Sequence, residues 1–210
     1  MGFGNWWDQT VVPRIVKYGC GVESITELRR DIIPAARGDV FELGCGAGAN
    51  QALLLPGAIT SFSAIEPSPK LRDYARAAAA KQGIAADIRD GQGEAIPYAD
   101  ESFDTVICTF TLCSVCDQGR TLSELRRVLK PGGLLLYAEH GRSPDPHILR
   151  RQQRIEPVWK RLFGNCHLTR PISEAIEQAG FAVEPIGRGY RDDKPSMVGW
   201  MEWGKAARRG

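Results

Sequence analysis

The chain carries little net charge. Its 27 Lys/Arg and 25 Asp/Glu leave a formal +2 over 210 residues, too small a surplus to argue for nucleic acid, so no nucleic-acid partner is expected. No run approaches the ~20 apolar residues of a membrane span. Met1 to Asp8 shows neither a basic start nor a long apolar stretch, so no secretory signal is expected. Internal repeats and low-complexity linkers are absent. The length points to one domain, large enough to bury a core of its own. The six cysteines, at 20, 45, 108, 113, 116 and 166, are not needed as staples in a chain of this size, so they read as reduced thiols of a cytoplasmic protein. Cys113-Ser114-Val115-Cys116 is formally Cys-x-x-Cys, yet no second pair lies at metal-like spacing and no helix start lowers a thiol pKa. No metal site is therefore expected.

What the sequence does have is concentrated between Asp39 and Asn50. The apolar run Val40-Phe41-Glu42-Leu43 leads into Gly44-Cys45-Gly46-Ala47-Gly48. This reads as a buried strand, a tight turn and a helix start. Glycine permits positive φ and lets a ligand lie against the backbone, and open α/β sheets bind nucleotides at the carboxyl ends of their strands. A second acidic residue, Glu66, ends the next apolar run, near the ~20-residue offset at which a carboxylate meets a ribose diol. This pair of features suits NAD and S-adenosylmethionine (SAM) equally.

Further along, helices are expected over Glu23 to Pro34, Ala49 to Leu55, Pro69 to Lys81, Thr121 to Leu129 and Thr169 to Gly180. Strands are expected over Thr60 to Ile65, Ile84 to Ile88, Phe103 to Phe110, Leu134 to Ala138, Phe181 to Ile186 and Met197 to Trp203. The alternation predicts an α/β fold with a doubly wound, mostly parallel seven-stranded sheet. Trp7, Val11, Ile15 and Tyr18 fall at helical spacing, interrupted by Pro13. The segment is either a lid or packing helix, or a tryptophan-anchored element touching a membrane surface or a hydrophobic acceptor. Ile148, Ile155, Trp159 and Leu162 share a helical face with Pro157 as an expected kink. Seven Lys/Arg between 142 and 170 face only Asp145 and Glu156, either as a solvated basic face or as an attraction for anionic lipid or phosphate.

Taken together, Glu42-Leu43-Gly44-Cys45-Gly46-Ala47-Gly48, Glu66-Pro67-Ser68, Gly91 to Pro97, Phe103-Asp104-Thr105-Val106 and Arg127 to Gly133 resemble the class I SAM-dependent methyltransferases with a type 11 methyltransferase domain. The match covers roughly residues 35 to 140. The Lys130-Pro131-Gly132-Gly133 turn and the lack of a separate substrate domain speak against a dehydrogenase. Cys108 to Val115, Glu139-His140 and Gly164 to Arg170 resemble, more narrowly, the methyltransferase-like group that includes animal alkyl-thiol methyltransferases and bacterial relatives. The resemblance implies a Rossmann-like sheet, with an N-terminal helical lid (1–34), a cofactor-binding core (35–140), a small helical cap (141–170) and a C-terminal helix with strands (171–210).

It also implies roles, with SAM as cofactor and S-adenosylhomocysteine as product. Glu42 would meet the methionine amino group, directly or through water. Gly44, Cys45, Gly46 and Gly48 would cradle the cofactor against the backbone. Glu66 would take both ribose hydroxyls, since a carboxylate accepts two hydrogen bonds from a diol. Pro67 would pack on the adenine, and Gln92, Gly93 and Glu94 would line its edge. Many relatives carry Asp where Gln92 stands. Thr109 and Phe110 would flank the sulfonium.

Methyl transfer from a sulfonium needs alignment and exclusion of water more than acid–base help. A thiol, with a pKa near ~8.5, supplies its own thiolate. The first expectation is therefore a small hydrophobic thiol acceptor. An amine nitrogen of a phospholipid or a small molecule, with peripheral membrane contact, is the alternative, and a SAM-binding protein without turnover the further one. His140 is the candidate base if one is used, and a turn histidine otherwise. Trp7, Cys113, Ser114, Asp117, Trp159 and His167 are the candidate acceptor residues, with turn and cap duties as the competing account of Asp117 and Ser114.

Overall fold

The structure, a computed structural model, describes residues 22–209 together with Val11, Pro13, Arg14 and Tyr18. Seven strands form one sheet: β1 (Gly38–Leu43), β2 (Ile59–Ile65), β3 (Ala86–Arg89), β4 (Phe103–Thr109), β5 (Leu129–His140), β6 (Phe181–Tyr190) and β7 (Trp200–Arg208). Their spatial order is β3-β2-β1-β4-β5-β7-β6. Neighbours from β3 to β5 run parallel, and β7 is antiparallel to both β5 and β6. Strand order reverses at β1, so a crevice opens where the carboxyl ends of β1 and β4 diverge. The α/β class, the seven strands and the mostly parallel sheet are as expected.

The central strands are mostly apolar in their middles because both of their faces are covered. Successive residues alternate between two cores. Val40, Ala64, Ile107 and Leu136 join Ile25, Leu28 and Ile32 of α1 (Glu23–Ile32) and Ala75 and Ala79 of α2 (Pro69–Lys81). Phe41, Ile65, Val106 and Leu135 join Leu122, Leu125 and Val128 of α3 (Gln118–Val128) and Ile172 and Ile176 of α5 (Ile172–Gln178). The stretch before α5 holds α4 (Pro146–Leu162), which Asp145 caps through His147 N–H and Ile148 N–H and which runs on through Pro157.

Several boundaries differ from the pattern-based reading. The helix expected over Ala49 to Leu55 is only a 3₁₀ turn, Gln51–Leu53. Leu54 is already extended two residues before Pro56, and proline pushes its predecessor away from helix. Ile84 closes α2 by donating its N–H to Ala79 O, so β3 starts later than Ile84. Leu129 opens β5 directly after α3, ahead of the expected Leu134. Met197 to Trp203 splits into a helical turn, α6 (Ser196–Gly199), and the start of β7. Strand β7 continues through Lys205 and Arg208 because β5 and β6 pair with it on both sides.

Arg127 locks the loop before β4 onto α3. Its guanidinium donates to Ile96 O, Tyr98 O, Asp100 Oδ1 and both Glu124 oxygens at 2.7–3.0 Å, and Glu124 Oε2 accepts the Ile96 N–H. Arg127→Met removes those donors from the Tyr98 carbonyl and both carboxylates, while Ile96 O keeps only the Tyr98 N–H. It is expected to cost about 1–3 kcal/mol in chemical denaturation and to expose residues 92–100 to limited proteolysis. Unchanged digestion of that loop would show that its packing alone holds it.

Candidate active site

At the carboxyl end of β1 the turn Gly44, Gly46, Gly48 takes φ of 65°, 52° and 83°, the left-handed region that glycine enters without cost. A Cβ on Gly44 would meet Thr111 Oγ1 at 2.5 Å and one on Gly48 would meet Ala78 Cβ at 2.7 Å. Glycine is thus required by close packing as well as by dihedral angle. Cys45 is buried in the turn, and its thiol is pushed far up, by burial first and then by Glu42 and Glu66.

Glu66 ends β2 with 6% exposure. Its oxygens accept from Gly46 N–H at 3.1 Å and Ser68 N–H at 2.9 Å, so it ties the glycine turn to the next strand. Burial raises its pKa, with the two backbone donors acting against that shift. Each oxygen keeps a lone pair for a ligand. Pro67 beside it is exposed.

Glu42 is fully buried. Asn50 Nδ2 donates to Glu42 Oε1 at 2.6 Å and to Thr109 Oγ1 at 2.9 Å, joining β1 to β4 across the crevice. Among the described residues Glu42 Oε2 and Asn50 Oδ1 have no hydrogen-bond partner. Unpaired buried acceptors are costly in a protein at rest, and here they suit an ammonium or hydroxyl arriving with a ligand. The residues therefore fit a SAM-like molecule. Burial pushes Glu42 up to about 7, opposed by Asn50 and by the Arg29 charge. Arg29 also lies over the Phe110 ring, 5.1 Å from its centroid. Phe110 itself has φ 55°, an uncommon angle for a bulky residue.

The segment Gln92-Gly93-Glu94 lies against α3, and only part of it is free for a ligand. A Cβ on Gly93 would meet Thr121 Cγ2 at 2.8 Å. Glu94 Oε1 accepts Asp117 N–H at 2.9 Å and Glu94 O accepts from Arg120 Nε. Gln92 is exposed. Asp117 Oδ1 caps α3 by accepting Arg120 N–H at 2.9 Å, the helix-end duty that competes with an acceptor role.

The turn after β4 meets the 141–170 segment. His140, ending β5, packs edge-on against Phe110 at 5.5 Å. Its Nδ1 stands 3.8 Å from Cys166 Sγ, and Cys113 Sγ is 3.6 Å from Cys166 Sγ. Cys166 Sγ–H donates to Cys113 Sγ, and burial penalises a thiolate at either sulfur. Cys113 therefore pairs with Cys166 and not with Cys116, which is exposed. Trp159 stacks on Phe163 at 3.9 Å and both pack on this cluster. Ser114 Oγ lies 3.5 Å from Cys113 Sγ, while its carbonyl accepts from Asn165. His167 Nδ1 faces Glu156 Oε1 at 3.4 Å inside the segment, and burial lowers its pKa. Trp7 and most of the 5–18 segment lie outside the described residues.

Residue-type reasoning passed over Asn50, Arg29 and Glu139 as site residues. Glu139 is fully buried, and its carboxylate accepts from Thr111, Leu112 and Cys113 N–H at 2.9–3.1 Å. The available signal was a carboxylate at the end of an otherwise apolar strand, the same signal that marked Glu42 and Glu66.

A nucleotide-type crevice with two buried carboxylates beside a glycine turn defines a cofactor-binding α/β protein. A methyltransferase-domain model matches residues 41–137, and the chain belongs to the SAM-dependent methyltransferases. It is 38% identical over 147 residues to thiol S-methyltransferase TMT1B of Rattus norvegicus, spanning 68% of this chain and 59% of that protein. It is 34% identical over 169 residues to thiol S-methyltransferase TMT1B of Homo sapiens, spanning 79% and 66%. The chain thus spans about three-fifths to two-thirds of the length of these relatives. A SAM-dependent methyltransferase structure from Thermotoga maritima superposes with a TM-score of 0.63 at 21% identity, over 99% of this chain and 94% of that one, a likeness of fold.

Glu42 gives the apo site a measurable pH signature. Its folded pKa of about 7 lies above the ~4.3 of an unfolded glutamate. The folded chain keeps a proton that the unfolded chain has lost, so stability from this group is full below about pH 4.3 and falls as pH rises through about 7. Glu42→Gln should stabilise the ligand-free protein at about pH 8, by at most about 4 kcal/mol, and so raise its thermal midpoint there, with little change at about pH 4.5. An equal shift at both pH values would refute the buried, proton-holding carboxylate.

Proposed function

We propose that this protein moves the methyl group of SAM to the sulfur of a small hydrophobic thiol. The observation that carries this reading is the character of the wall after β4 and β5. Cys113, Cys166, Leu168, Val198 and Trp159 form a sulfur, aliphatic and aromatic cluster beside Phe110 and His140. The nearby carboxylate, Glu139, is spent on three backbone N–H groups. Such a wall suits an acceptor that needs desolvation more than a strong base, as a thiol does. Likeness to proteins described as thiol S-methyltransferases supports the same reading.

SAM supplies an electrophilic methyl on a positively charged sulfur, a leaving group already activated. On the cofactor side, Glu66 would accept from a ribose diol while its other lone pairs stay on Gly46 and Ser68. Glu42 and Asn50 would receive the ammonium. Ionising Glu42 there removes the penalty of an unpaired buried acceptor. Gly44, Gly46 and Gly48 let the backbone approach, and Pro67 with Gln92 to Glu94 would border the base. Thr109 and Phe110, at the end of β4, would flank the reacting sulfur. Trp7, Ser114, His167 and Asp117 remain weaker acceptor candidates, the last two having duties within the fold.

A second reading has one observation behind it. The outer face of α4 exposes Val158 and Leu162 among the exposed Arg151, Arg154 and Arg161. Apolar side chains ringed by cations suit an anionic membrane surface, which would bring a lipid amine within reach.

Two measurements test these assignments. Glu66→Ala should weaken SAM binding at least tenfold in a calorimetric titration, and a folded variant of unchanged affinity would place the ribose elsewhere. S-adenosylhomocysteine release should occur with a small alkyl thiol and not with phosphatidylethanolamine liposomes. Release with liposomes alone would assign lipid N-methylation, and release with neither would leave a SAM-binding protein without these acceptors.

A further inference from the structure

Three side chains remote in sequence converge beside the crevice. Cys113 comes from the turn after β4, His140 from the end of β5, and Cys166 from the loop between α4 and α5. Their ligand atoms all lie within 4.8 Å of one another, and no other His/Cys/Asp/Glu cluster of this kind occurs among the described residues. The two sulfurs are 3.6 Å apart and Cys166 Sγ is 3.8 Å from His140 Nδ1. A tetrahedral ion with Zn–S near ~2.3 Å and Zn–N near ~2.0–2.1 Å sets its ligand atoms about 3.5–3.8 Å apart. Both separations from Cys166 Sγ fall in that range, and Cys113 lies within 4.8 Å of the imidazole ligand atom.

The ligands are also held in place before any ion arrives. Cys113 N–H is fixed on Glu139 Oε2 at 3.1 Å, and Cys113 O accepts His167 N–H at 2.8 Å. Cys166 N–H bonds Phe163 O, and the Phe110 edge sets the His140 ring. Such outer contacts orient metal ligands elsewhere in proteins. Two thiols and an imidazole without a carboxylate select a thiophilic ion over Mg²⁺ or Ca²⁺. His140 is half-buried while Cys113 and Cys166 are buried, so the imidazole side is the route of entry.

We propose that Cys113, Cys166 and His140 form a three-ligand site for a thiophilic divalent ion, Zn²⁺ foremost, with the fourth position taken by the acceptor sulfur. The ion site stands on geometry alone, and only the fourth-position assignment rests on the thiol reading above. In that assignment R–SH gives its proton to solvent and binds as thiolate. Its lone pair forms the new S–C bond as the methyl–sulfonium bond breaks, and that electron pair stays on the departing sulfur. One thiol and SAM yield one thioether, S-adenosylhomocysteine and one proton. His140 then acts as a ligand and not as a base.

The test uses the reduced, chelator-stripped full chain titrated with Co²⁺ as a coloured stand-in for Zn²⁺. One equivalent should develop a thiolate-to-cobalt charge-transfer band that Zn²⁺ bleaches. Cys113→Ser and Cys166→Ser should each abolish the band, His140→Asn should shift it, and Cys116→Ser should keep it. Absence of the band in the parent protein, or its survival in folded Cys113→Ser, would overturn the site. So would a chain that takes up no ion yet loses two mass units on mild oxidation, the behaviour of a simple thiol pair. Adding a small alkyl thiol should perturb the cobalt spectrum, and stripping the ion should slow thiol-dependent S-adenosylhomocysteine release at least tenfold. A bound ion with neither effect would refute the acceptor position while leaving the metal site standing. Failure of thiol turnover with the cobalt band intact would refute the thiol reading instead.

Discussion

The carboxylate of Glu139, accepting the N–H groups of Thr111, Leu112 and Cys113, holds the turn on which both halves of the site depend. Burial penalises this charge, and the backbone donors offset part of the penalty. On the cofactor side, Thr111 Oγ1 reaches Gly44 O at 3.3 Å. On the other side, Arg170 donates to Leu112 O and Val115 O, His167 N–H to Cys113 O and Asn165 to Ser114 O. Without the carboxylate, three N–H groups would face a dry interior, each at a cost of about 1–3 kcal/mol.

Glu42, Glu66 and Glu139 end β1, β2 and β5 at one edge of the sheet, yet their environments differ. Glu139 is filled by backbone donors and has a scaffold role. Glu66 is half filled, by Gly46 and Ser68. Glu42 keeps one oxygen unpaired among the described residues, and it is the one pushed up to about 7. The same residue type at equivalent strand ends thus ranges from structural to ligand-ready, according to how many donors surround it.

Much of the fold was legible because its signals are local. Period-two alternation along Val40-Phe41 and Val106-Ile107 sorts side chains between two cores. Ser68-Pro69 and Gly83 mark the ends of α2, which spans the expected residues. The misplaced boundaries are those where pairing or proline outweighed local preference. Strand β7 runs on through Lys205 because β5 and β6 supply partners, and Leu54 is already extended near Pro56.

By itself, the sequence determined the class of fold, the glycine turn and the acidic strand ends, since each follows from backbone conformation and burial period within a few residues. Only the tertiary structure decided which partners those groups meet. Asn50 bridges Glu42 and Thr109, Asp117 serves a helix end, and Cys166 meets Cys113 and His140, 53 and 26 residues away in the chain. Local pattern carries no register between the turn after β4 and the loop before α5. That register is set by Glu139 and Arg170, whose hydrogen bonds exist only once the sheet has formed.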